Sequence, residues 1–282
     1  MVRRIVVVTV IAVSLAMVGA HLAAQQSAPK SAPATQAKAP AAPKPAAAPD
    51  LSKMPLVNVA VLEIKPELLT EWQDFQKNEA IPTLQKGGVR ERMAVATAVG
   101  QAFQYVFLTP NVKLSDRDGD SPIVKALGQD GARAYGQKAR RFIANERTYV
   151  VRLRPDLGYQ PDPNAGLPVA VVSDYSIAAG RGADFEAYLK NDVMPAHKQL
   201  KTGGFMVYQG LFGGDGNAFV VVTMVHNFAE LEKGPAITQA YGEAKARAIQ
   251  QKLAGIVTHV ERTLSRQVPE LSFRARAMTD HP

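Results

Sequence analysis

No cysteine occurs anywhere in the 282 residues. Without one the chain can build no disulfide framework, carry no lipid on an N-terminal cysteine and use no thiol nucleophile. Histidine is scarce as well, at five residues, and no two of them stand at the i, i+4 spacing of a zinc site. His226 and His259 are single. No Gly-x-Ser-x-Gly elbow is present. Asp116-Arg117-Asp118-Gly119-Asp120 has its glycine in the wrong place for a calcium loop and no closing glutamate, so it reads as an acidic turn. Gly213–Gly216 leads into a strand, not a helix, and cradles no phosphate. No metal is expected.

Excess charge of one sign is also lacking. The formal net charge is +8, but Arg3, Arg4, Lys30, Lys38, Lys44 and Asp50 lie in the first fifty residues, and the chain from Leu51 onward carries +4. There is no basic block interleaved with aromatics and no helix-turn-helix, finger or RNA-binding signature, which argues against nucleic acid as a partner.

The one long apolar run is Ile5–Val18, after a basic start at Arg3-Arg4. It has the length of a signal-peptide core and falls short of the ~20 residues of a spanning helix. Leu22-Ala23-Ala24 offers small residues for cleavage. Residues 1–24 therefore read as a signal peptide, and the protein as exported, periplasmic or extracellular, with no stable membrane insertion once cleaved; an uncleaved anchor is the alternative. Residues 25–54 read as a disordered linker: Ser27–Asp50 is almost entirely Ala, Pro, Lys, Ser and Gln, too poor in bulky apolar groups to offset the entropy of ordering.

What is present is a β-α-β-β-α-β pattern, stated twice. Leu56–Ile64 is a strand candidate. Glu67–Lys86 carries Leu68, Trp72, Phe75, Ile81 and Leu84 at helical spacing. A hairpin over Gly88–Ala98 and Ala102–Thr109 turns at Gly100, Pro122 opens a glycine-weakened helix to about Ile143, and Thr148–Leu153 is a fourth strand. In the second half the clearest signal is the hairpin of Phe205–Phe212 and Ala218–Val225 around Gly213-Gly214-Asp215-Gly216-Asn217. Correspondence goes beyond pattern. Lys77-Asn78-Glu79-Ala80-Ile81-Pro82 answers Lys190-Asn191-Asp192-Val193-Met194-Pro195; Gly87-Gly88 answers Gly203-Gly204; Phe103 answers Phe219; Glu146-Arg147-Thr148 answers Glu261-Arg262-Thr263. These matches point to a tandem duplication with units at 55–160 and 168–273, joined by the Pro- and Gly-rich Pro155–Pro168 and followed by a tail, 274–282.

One such unit makes a four-stranded antiparallel sheet with both helices on one face. Val57/Val59/Val61 and Ala218/Val220/Val222/Met224 leave the strands apolar on both sides, so the bare faces need a cover, and the other unit supplies it. The expected fold class is α+β: two ferredoxin-like units forming a barrel-like pseudo-dimer within one chain, with further self-association open. The helix closing on Asn-(Glu/Asp)-x-x-Pro, the Gly-Gly entry to GGFMVYQGLFGGD and the second helix opening at Pro resemble the dimeric α/β-barrel superfamily, and within it NIPSNAP-like and EthD-like domains. The resemblance covers Leu56–Phe273. It implies a ligand-sized cavity between sheet and helices and no particular chemistry, since such relatives include cofactor-free monooxygenases, haem-degrading and haem-dependent enzymes, and proteins without assigned activity.

Duplication also sorts residues. A feature present in both halves serves the fold, so Glu146-Arg147 and Glu261-Arg262 read as end-of-helix ion pairs, and Pro82 and Pro195 as helix terminators. A polar residue in one half whose counterpart is apolar needs another reason. His197 near the place of Leu84, Asp174 opposite Val61, and Tyr208 opposite Arg92, within the charged Arg90-Glu91-Arg92 stretch, are of that kind. Trp72 reads as core. The first expectation is an exported protein binding a small apolar or aromatic ligand through Arg92, Asp174, His197 and Tyr208. The second is a cofactor-free monooxygenase or haem-using enzyme with His197 as base or ligand. The third is a non-catalytic scaffold that binds another protein. No cofactor is expected, haem being the one alternative, and these residues alone do not choose between enzyme and binding protein.

Overall fold

A computed structural model describes residues 50–162 and 168–274. The expected signal peptide, the expected linker as far as residue 49, part of the join and the tail beyond residue 274 lie outside the described residues. The first half runs β1 (Leu56–Ile64), α1 (Leu69–Phe75), α2 (Ile81–Lys86), β2 (Glu91–Val99), β3 (Gln104–Val112), α3 (Pro122–Arg140) and β4 (Ile143–Leu153). The second runs β5 (Val169–Ile177), α4 (Gly182–Tyr188), α5 (Met194–Leu200), β6 (Phe205–Phe212), β7 (Ala218–Val225), α6 (Ala236–Tyr241), α7 (Glu243–Gln251) and β8 (Val257–Gln267), with a short β9 (Phe273–Arg274). Among the described residues no helix is long and apolar enough to cross a membrane.

Every strand pairing is antiparallel, in the order β3-β1-β4-β6-β7-β5-β8-β2, and a β2–β3 pairing closes the ring into an eight-stranded barrel. The halves meet edge to edge. β4 pairs with β6 from Val150↔Phe212 to Leu153↔Tyr208, and β2 pairs with β8 from Val95↔Gln267 to Val99↔Leu264. Closure removes the open edges that would otherwise template aggregation. It also gives each strand two apolar destinations. Val57, Val151 and Tyr208 turn inward with Val59, Leu108, Met206 and Val222. Their alternates face the helices: Leu62, Ala94, Tyr105 and Phe107 against Trp72 and Phe75, and Val207, Phe219 and Val221 against Phe185 and Leu189. A buried side chain of this size is worth about 1.5–3 kcal/mol, so these two helix-facing layers dominate the stability.

Pro82 and Pro195 do not end a helix. A π turn, Gln76–Ala80 or Leu189–Val193, precedes each proline, and the chain stays helical through it. Each is the second residue of the helix that resumes, where its missing N–H costs little, and the N–H of the residue before it reaches back five positions, Ile81 to Gln76 O and Met194 to Leu189 O. Gly128 (φ 71°) breaks α3 where Gly242 (φ 75°) separates α6 from α7. The two halves therefore share both irregularities.

Three other expectations change. β4 starts at Ile143, five residues early, so Glu146, Arg147, Glu261 and Arg262 stand inside strands and form no end-of-helix ion pairs. Register also shifts the expected correspondence between the halves. Val61 pairs with Arg147 and Asp174 with Glu261, so Arg147, not Glu146, stands in the place of Glu261. Phe103 lies in the turn with φ 56° and is exposed; Tyr105 holds the place of Phe219, since Leu62↔Tyr105 matches Tyr175↔Phe219.

Candidate functional site

The four residues singled out from sequence do not converge. Tyr208 is buried inside the barrel, where its hydroxyl reaches Met206 Sδ at 3.5 Å, and burial raises its pKa to about 12. Asp174 is exposed on β5; partial desolvation, with the Glu261 and Asp215 carboxylates, raises its pKa. His197 is buried at the end of α5, its ring 4.6 Å from that of Phe205 and its Nδ1 2.7 Å from Thr202 Oγ1. The Gly204 N–H donates to the same Thr202 oxygen at 3.2 Å. A neutral imidazole accepting from the Thr202 hydroxyl completes this local tie between α5 and β6, and burial lowers the His197 pKa to about 4.

Arg92 lies elsewhere. Alternation along β2 places it on the helix-facing side with Ala94 and Ala96. There it lines a cavity of about 270 Å³ between the sheet and the helices of the first half. Ala60, Leu62 and Phe107 form its floor, Trp72, Phe75 and Gln76 one wall, and Tyr135 and Ala139 the other, with Glu146 an exposed carboxylate on its lining. The lining is mainly apolar and aromatic, with Asn58, Gln76, Arg92, Thr109, the Tyr135 hydroxyl and Glu146 as its polar groups, a mixture that small-molecule sites use.

Arg92 is 7 % exposed. Its two hydrogen bonds, to Gln76 Oε1 at 3.0 Å and to the Leu271 carbonyl at 3.3 Å, both leave from Nη2; its buried Nε has no partner. Among the described residues no carboxylate forms an ion pair with it. Its guanidinium carbon sits 4.3 Å from the Phe107 ring centroid. Desolvation lowers its pKa to about 10, so it remains a cation at neutral pH, while burial raises that of Tyr135.

The second half treats the same place differently. One step beyond Met93↔Leu108, Arg92 comes level with Thr109, and Phe205 pairs with Thr223. Gln76 and Leu189 each open their π turn. The Arg92–Gln76 pair is thus answered by Phe205 and Leu189, both almost wholly buried in a core with Phe185 and Phe219. Phe205, and not Tyr208, stands at the place of Arg92, because three residues, Val89, Arg90 and Glu91, separate Gly88 from Arg92, whereas Phe205 follows Gly204 directly.

No family model and no curated protein matches the chain. Solved structures do. An anthrone oxidase-like protein aligns with TM-score 0.54 at 9 % identity, covering 77 % of this chain and 93 % of its own. A monooxygenase-like protein from Fusobacterium nucleatum aligns with TM-score 0.51 at 10 % identity over 76 % of this chain and 92 % of its own. A chlorite dismutase variant from Candidatus Nitrospira defluvii gives 0.50 at 12 % identity over 77 % and 92 %. At these identities the likeness shows the fold alone. That fold is the antiparallel α/β barrel expected from the resemblance to the dimeric α/β-barrel superfamily.

A haem does not suit the cavity. No histidine, cysteine or methionine is among its lining residues, Tyr135 is the one side chain there of a type that ligates haem iron, and about 270 Å³ suits a ligand smaller than a macrocycle. Among the described residues no cluster of three or more acidic or histidine side chains could hold a metal ion.

Proposed function

We propose that the protein is an exported tandem of two ferredoxin-like units, of the NIPSNAP-like and EthD-like kind, that binds a small aromatic ligand between the sheet and helices of its first unit. One observation carries this reading: a cavity walled by Trp72, Phe75, Phe107 and Tyr135 in the half that places a polar pair where the other half places Phe205 and Leu189. The shared π turns and the paired breaks at Gly128 and Gly242 support duplication. The cavity size fits a ligand of one or two rings.

Native mass spectrometry of the exported protein tests this, together with the emission of Trp72, the single tryptophan, which lines the cavity. A retained small molecule, or a change in Trp72 emission on adding aromatic compounds, is expected in the wild type and is lost in Ala139→Phe, which fills the cavity from α3. Identical behaviour of the two proteins would remove the cavity from consideration.

The second reading, a cofactor-free monooxygenase, shares its reaction class with the description of one fold neighbour, the monooxygenase-like protein, while another is described as anthrone oxidase-like. Such chemistry would have to proceed without His197 as base, because that ring is tied to Thr202 and packed on Phe205. Turnover abolished by His197→Ala in a protein that keeps its fold would reverse that assignment.

A further inference from the structure

We propose that the ligand of the first-half cavity is an arene carboxylate, held by Arg92 as its counter-cation; this rests on the cavity reading above.

The argument starts from an imbalance of charge. Moving a guanidinium out of water is costly unless opposite charge and hydrogen bonds replace the lost hydration. Arg154 shows how this chain meets that cost. It is fully buried, and all five of its N–H donors are used: Nε and Nη2 on Asp156, Nη1 and Nη2 on Glu186, and Nη1 also on Gln209. Arg92 is buried almost as deeply and has two neutral acceptors, both on Nη2, no carboxylate and an unpartnered Nε. The π face of Phe107 offsets part of the charge but accepts no bond from Nε at the strength of a carboxylate.

The fold does not require this cation. Phe205 and Leu189 occupy the corresponding places in the second half, and the same layer closes there without a charge. A positive group retained against its desolvation cost, at the wall of an aromatic cavity, suits a ligand that brings an anion. The planar donor fork matches a carboxylate. Glu146 lines the same cavity from an exposed position, so repulsion orients the acid group away from it, inward to Arg92. Gln76, which accepts from Nη2, positions the guanidinium.

The test is calorimetric titration of the full mature protein with matched pairs of benzoate, phenylacetate and 2-naphthoate and their neutral primary amides. In the wild type at least one acid is expected to bind tenfold or more tightly than its amide. Arg92→Gln should remove that preference while retaining amide binding. Gln76→Glu keeps Arg92 but supplies an internal carboxylate, and should remove it as well; this variant also guards against a folding defect in the first. Acids and amides binding alike would overturn the carboxylate assignment and leave the cavity reading standing. Failure of every acid and every amide would overturn both.

Discussion

Arg154 and Glu186 are joined by two parallel charge-assisted hydrogen bonds, Nη1 to Oε1 at 2.6 Å and Nη2 to Oε2 at 2.9 Å. The same guanidinium grips Asp156, and the Arg154 backbone N–H donates to Val207 O at 2.8 Å. One residue thus fastens the segment after β4 to α4 and β6. Burial alone would lower the Arg154 pKa, but the Asp156 and Glu186 carboxylates outweigh it and raise it. Arg154→Lys, which cannot reproduce the fork, is expected to cost about 2–4 kcal/mol in urea unfolding. A cycle with Glu186→Gln should return a coupling of at least about 1 kcal/mol; additive single effects would show that the pair contributes nothing.

Arg92 predicts the opposite sign. The double variant Arg92→Phe with Gln76→Leu copies the apolar pair of the second half, and should be more stable than the wild type by about 1–3 kcal/mol while losing any preference for acids over amides. A less stable double variant would mean that the guanidinium holds the fold together.

His197 sets an acid limit. Its pKa falls from an ordinary 6.5 to about 4 in the folded protein, so between those values the unfolded chain binds more protons. Stability therefore declines as pH drops from about 6.5 toward 4, by no more than about 1.4 kcal/mol per pH unit from this residue. His197→Gln, able to accept from Thr202, should flatten the pH dependence of the urea midpoint across that window. An unchanged slope would place the acid sensitivity elsewhere.

The seam between the halves has its own weak point. Gly213 has φ +92°, and a Cβ there would lie 2.2 Å from the Thr148 carbonyl oxygen, beside the Val150↔Phe212 pairing of β4 with β6. Gly213→Ala should cost about 2 kcal/mol or more, whereas Gly216→Ala, in the same turn with open space around it, should cost far less. Equal midpoints for the two variants would show that the seam yields freely.

Local chemistry made much of this architecture legible. Strand alternation, the apolar stripe through Trp72 and Phe75, the glycine turn after Phe212 and the helix start at Pro122 depend on neighbours a few residues away, and they made the strand and helix order and the α/β-barrel class legible in the residues alone. The edge-to-edge closure of β4 on β6 and β2 on β8 is a long-range pairing with no local signature. Side-chain direction in a strand reverses with each residue, so the three residues Val89–Glu91 between Gly88 and Arg92, an odd number with no counterpart between Gly204 and Phe205, decided which face each side chain takes. They sent Tyr208 into the barrel and turned Arg92 to the helices, opposite Gln76 and in the place that Phe205 fills in the second half. Only the tertiary structure decided that the buried cation and the aromatic cavity belong to one site.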